Sequence, residues 1–120
     1  MTTDTVDSSK NGETRRDFLQ LTAVATAAVR TARLRLAQGR LDEARAEAER
    51  ARDLRVELLG GANARTAEAW RTVADVRAAA GDTAGAVAAL DEALAIWTAA
   101  GLPEASGAVA ARSDRDVWAH

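Results

Sequence analysis

The chain of 120 residues has no cysteine and no tyrosine, and only one proline, one phenylalanine and one histidine. Without a thiol there is no disulfide, no thiolate zinc site and no cysteine nucleophile, and a lone histidine at the last position, His120, cannot build an imidazole cluster for a metal. β-Branched runs are as scarce as aromatics, so there is little from which to build a sheet. Charge of neither sign prevails. The formal net charge of −2 gives no overall attraction to nucleic acid or to an anionic membrane, although arginines cluster locally. No stretch reaches the roughly 18 to 20 apolar residues that a membrane span requires. What is abundant is alanine, which loses no side-chain entropy in a helix and lets helices approach closely. A single all-α domain with a modest core is the expectation.

Along the chain, residues 1–13 are polar and contain Asn11-Gly12, so they bury too little apolar area to offset their ordering entropy and read as a disordered tail. From about Thr14 to Gln38 apolar and small residues recur without glycine or proline, which predicts a long first helix ended by Gly39. Leu41-Asp42-Glu43-Ala44 opens a second helix, with acids where the dipole favours them, that runs to about Leu59. Gly60-Gly61 stops it. A third helix, from about Arg65 to Ala80, carries Trp70, Val73, Ala74 and Val76 on one stripe. After Gly81, Asp82 or Thr83 caps a fourth helix to about Ala99, with Val87, Leu90, Leu94 and Ile96 as its buried side. Beyond Gly101-Leu102-Pro103, the residues Leu102, Ala105, Val109, Val117 and Trp118 suit a short fifth helix, against which Gly107 and the charged stretch from Arg112 to Asp116 argue.

One pattern is written twice. Gly39, Ala44, Ala48 and Ala51 recur as Gly81, Ala86, Leu90 and Ala93, each 42 residues on. With Ala69-Trp70, Val73-Ala74 and Gly81-Asp82 the second copy resembles a tetratricopeptide repeat, a hairpin of helices that stacks on its neighbours through small residues. In the first copy Ala32, Gly39, Leu41, Ala44, Ala48 and Ala51 fit, while Ala28 stands where the aromatic belongs. The long offset, and Leu58-Leu59-Gly60 through Thr66-Ala67, are similar to the longer repeats of the kinesin light chain type. Such repeats also occur in the C-terminal parts of actinobacterial regulators, although no DNA-reading helix-turn-helix precedes them here. The resemblance implies two stacked hairpins, about 27–60 and 66–99, within a repeat domain at 14–100, flanked by an N-terminal helix and a capping segment at 101–120. Trp70 and Leu90 would belong to the core.

Chemistry finds few candidates. The acid pairs Asp42-Glu43 and Asp91-Glu92 lie on solvent-facing turns of helix, no glycine loop cradles a phosphate, and no nucleophile arrangement can be assembled. The expectation is a non-enzymatic module without a cofactor. By the resemblance, the first helix of each repeat lines a concave groove, which here would present Val29, Arg33 and Leu36 from one repeat and Glu68, Arg71, Asp75 and Ala78 from the next. Arg33 and Arg71 offer planar forks to an acidic segment or chain end of a protein or peptide partner. The alternative is that they pair with Glu68, Asp75 or helix neighbours.

Two repeats fall short of the three or so that a stable stack normally needs. The helix after Arg15, the segment Leu102 to Trp118 or a second copy must therefore cover the ends, and a homodimer is expected. Thr14-Arg15-Arg16-Asp17-Phe18-Leu19-Gln20 resembles the twin-arginine export signal, with apolar Leu21 to Val29 behind it. An exported or envelope-associated protein is therefore one reading. A cytoplasmic one, in which Arg15-Arg16 start a helix whose Phe18, Leu19 and Val24 pack onto the repeats, is the other. An accessory subunit of a neighbouring enzyme is a third.

Overall fold

A computed structural model of the chain describes the backbone of residues 2–119 and the side chains of 15–119. Five helices follow one another: α1 (Thr2–Ala37), α2 (Leu41–Leu59), α3 (Ala64–Ala79), α4 (Thr83–Ala99) and α5 (Ser106–Ala119). No strand occurs among the described residues. The C-terminal half of α1 pairs with α2 and α3 pairs with α4, the two hairpins meet through α2 and α3, and α5 lies against α4. This is the all-α stack of two hairpins that the repeated pattern implies.

The two repeated glycines end their helices in the same way. Gly39 and Gly81 take φ of +74° and +86°, a region open to glycine at little cost. The N–H of the residue after each reaches back five residues: Arg40 donates to Arg35 O at 2.8 Å and Asp82 to Arg77 O at 2.9 Å. The following helices start differently. Asp82 accepts from the Gly85 N–H at 2.9 Å, and Asn63 caps α3 by accepting from Arg65 N–H at 2.9 Å. Arg40 before α2 provides no side-chain cap, and Asp42 and Glu43 in the first turn complement the dipole instead.

Alanine makes the core of the first hairpin. Ala25, Ala28, Ala32, Ala44, Ala48 and Ala51 are buried, so α1 and α2 pack with only a methyl group at each crossing. Ala28, at the position of the missing aromatic, is one of them. Larger side chains fill the second hairpin, where Val73, Val76, Leu90, Ile96 and Trp97 are buried beside Ala67, Ala69, Ala74, Ala86 and Ala93. Fully burying a side chain the size of Leu90 is worth about 1.5–3 kcal/mol.

Four expectations are revised. The helix begins at Thr2, not near Thr14, so residues 2–13, read from composition as a tail, continue α1. Extending an established helix avoids the cost of nucleation, and no proline interrupts it. Phe18 and Leu19 do not pack onto the repeats: they are 39% and 61% exposed, because α2 is too short to accompany α1 that far, and Val24 is only half-buried. Trp70 is half-buried at the core margin with the Arg52 guanidinium 4.9 Å from its ring centre, a cation–π contact. On α4, Val87 and Leu94 are half-buried while Trp97 is fully enclosed.

Trp97 also accounts for Gly107. A Cβ at position 107 would stand 2.6 Å from Trp97 Cζ2, so the residue that weakens the helical pattern of α5 is the one that lets α5 close over the indole. Ala108 and Ala111 complete that contact.

Candidate functional site

α1, α3 and α5 border a cleft of about 300 Å³ lined by Val29, Arg33, Glu68, Arg71, Thr72, Ser106 and Gly107. Helix periodicity explains the lining: Val29 and Arg33 are one turn apart on α1, as are Glu68, Arg71 and Thr72 on α3. The third wall comes from the first turn of α5, where the backbone amides of any helix have no partner within the helix.

Four of the groove residues inferred from the sequence are brought together here: Val29, Arg33, Glu68 and Arg71. Three are not part of the lining. Leu36 packs against the core. Ala78 is half-buried towards the end of α3. Asp75 binds Arg33, whose Nη1 donates to Asp75 Oδ2 at 3.2 Å while its Nη2 donates to Thr72 Oγ1 at 3.1 Å. The Thr72 hydroxyl in turn donates to Glu68 O at 3.0 Å. Arg33 is thus committed to its own chain, the alternative that the sequence left open.

Arg71 is not committed. It is half-buried in the cleft, its Nε is buried without a hydrogen-bond partner, and it forms no ion pair among the described residues. A buried guanidinium N–H without an acceptor is costly to leave so, and Arg71 is the arginine of this lining whose hydrogen-bonding capacity its own chain does not use. The surrounding charges are nearly balanced. Burial pushes the Asp75 carboxyl above its usual value; Arg33 opposes this by charge and hydrogen bond, Arg71 opposes it at longer range, and Asp114 of α5 adds to the rise. With Asp75 satisfied by Arg33, the cleft offers one open cation beside an exposed Glu68.

Thr72, Ser106 and Gly107 are the lining residues that sequence reasoning missed. Thr72 follows Arg71 and could have been found by rotating the helix face by one position. Ser106 and Gly107 lie past the recognised repeats.

The repeat signature falls where a stack requires it. Ala44, Ala51, Ala74, Ala86, Leu90 and Ala93 are all buried at helix crossings and Gly39 and Gly81 form the turns, with Trp70 at the margin. The tetratricopeptide repeat pattern matches residues 23–99, well over half of the chain. The chain belongs to the tetratricopeptide repeat family. Tetratricopeptide repeats generally mediate protein–protein interaction and are typically non-catalytic. No curated protein and no solved structure matches the chain. Among the described residues no helix is long and apolar enough to cross a membrane, and no group of acids and histidines is placed to hold a metal ion.

Proposed function

We propose that this tetratricopeptide repeat chain is a non-enzymatic adaptor or regulatory accessory that holds a segment of a protein partner in the cleft between α1, α3 and α5, with an acidic group of that segment on Arg71. The observation that carries this reading is the buried, unpartnered Nε of Arg71 in a cleft where the other arginine is already bound to Asp75 and Thr72. A guanidinium takes a carboxylate in two parallel bonds, and the exposed Ser106 hydroxyl can take the backbone beside it.

Partners captured from native lysate with the full chain would be mapped to a segment and measured as a synthetic peptide. Loss of one charged hydrogen-bonding group costs about 1.5–3 kcal/mol, so Arg71→Gln is expected to weaken peptide binding by about ten- to a hundredfold with the helical circular dichroism unchanged. A peptide held equally by the native chain, by Arg71→Gln and by an Arg33→Glu/Arg71→Glu double variant would overturn the reading.

Between the two cellular settings, we favour the one that leaves α1 intact. Cleavage after either Ala25 or Ala27 takes away Ala25, which is buried, and cleavage after Ala27 also takes Thr26, whose hydroxyl accepts from Arg55 Nη2 at 3.4 Å.

A further inference from the structure

α1 turns one face away from everything it packs on. Successive residues of an α-helix are about 100° apart, so Leu19, Ala23, Ala27, Arg30, Leu34 and Ala37 share a single stripe. All six are exposed, Leu19 by 61% and Leu34 by 53%. The repeat shows what such a stripe is for. Ala69 and Val76, 42 residues after Ala27 and Leu34, are buried, and Val76 lies beside Leu41, Arg45 and Ala48 of α2. In the second hairpin this face receives the preceding helix; in the first it receives nothing from the described residues.

The stripe is its own complement. Leu19 and Leu34 stand equally far from the midpoint between Thr26 and Ala27, and so do Ala23 and Arg30. Two α1 helices laid antiparallel about a two-fold axis at that midpoint therefore place each Leu19 against the partner's Leu34. The alanines between them let the axes approach, and Arg30 can run its apolar stem past Ala23 of the partner subunit with its charge in water. Arg15 and Arg16 come level with Gln38 and Ala37 of the partner subunit, near the α2 first turn, where Glu43 is already paired with Arg35 and Arg40 and Asp42 forms no ion pair among the described residues. The other end of the stack has no matching surface, since on α5 the exposed Val109 and Val117 are separated by Ser113 and Asp116.

We propose that two copies of this chain pair through the outward stripe of α1, antiparallel and two-fold, with Leu19 on Leu34 and the arginine pair near the partner's Asp42. The contact runs roughly 30 Å along one helix from each copy, below the area of a permanent dimer, so the pairing is reversible and weakens with salt.

Light scattering and sedimentation of the full chain test it. The mass is expected to climb from 12.6 kDa towards twice that value as concentration rises, and to stay at 12.6 kDa for Ala27→Glu and for Leu34→Glu. Both positions are exposed, so both variants keep the helical signal and thermal midpoint of the native monomer. A monomer at every concentration, masses rising past the dimer, or a dimer untouched by both substitutions would overturn the proposal. The absence of native cysteine allows a test of direction. An equimolar mixture of Leu19→Cys and Leu34→Cys is expected to cross-link on mild oxidation, whereas neither does so alone. Efficient linking of each variant to itself would instead show a parallel pair and refute the antiparallel arrangement.

Discussion

Asp75 is the residue whose ionisation costs the fold most visibly. It sits on α3 with a side chain 20% exposed, and its burial raises the carboxyl above the model-compound value of 3.8 more than Arg33 lowers it. The folded state thus holds this proton more tightly than the unfolded chain does. The resulting stabilisation is complete below 3.8 and is lost as pH rises through the raised folded value. In urea titrations at a series of pH values, the native chain is expected to lose stability relative to Asp75→Asn across that window. A difference that stays flat, or a native chain that gains on Asp75→Asn as pH rises, would mean that the Arg33 bond offsets or outweighs desolvation. The same residue shows what the sequence can and cannot tell. The resemblance puts Arg33, Arg71 and Asp75 on one groove, but which arginine Asp75 takes, and that it leaves the lining in doing so, depends on the crossing of α1 and α3, and no pattern within one helix encodes that.

At the scale of elements, the hairpins were legible because their punctuation is chemical. A glycine with positive φ, followed by a capping Asp or a pair of first-turn acids, has one reading, and the repetition after 42 residues confirms it. α5 was harder to read. Its apolar pattern is broken by Gly107, and the reason for that glycine is the ring of Trp97 on another helix. The third wall of the cleft was therefore missing from the sequence reading although its residues were in plain sight. Gly107→Ala separates local propensity from packing. Alanine in a first helical turn gains less than the roughly 1 kcal/mol it is worth over glycine in a helix interior, whereas a Cβ pressed on a buried indole costs about 1–3 kcal/mol through overpacking. A net loss of stability on chemical denaturation is expected, together with a changed Trp97 fluorescence. A more stable variant would mean that α5 shifts without resistance.

At the scale of the molecule, the two hairpins are joined across α2 and α3, and Arg55 is the polar tie. It is buried, its Nη1 donates to Arg65 O at 2.8 Å, and burial lowers its pKa from the usual arginine value despite the nearby Glu68. Thr66 beside it donates to Gly60 O at 2.9 Å, fixing the chain between the helices. Replacement by leucine removes charged hydrogen bonds worth about 1.5–3 kcal/mol each, the one to Arg65 O across the junction among them. The positions of the three tryptophans give a readout. Trp97 and Trp118 lie away from the first hairpin and Trp70 meets it through Arg52 on its ring, so fluorescence reports chiefly the second hairpin and α5, whereas circular dichroism reports every helix. The two transitions are expected to coincide in the native chain and to separate in Arg55→Leu, with ellipticity lost first. Coincident transitions in the variant would place the coupling of the hairpins elsewhere.

The stack is also ordered along the chain: each helix packs chiefly on the one before and the one after it, with a smaller contact between α1 and α3. Every loop that must close during folding is therefore short, and little entropy is spent before the first contacts form. Folding can start at any hairpin and spread by neighbours, within about microseconds to milliseconds. The order of opening follows from the same linearity: helices at the ends, each held on one side only, exchange their amide protons early, and the α2–α3 junction exchanges last.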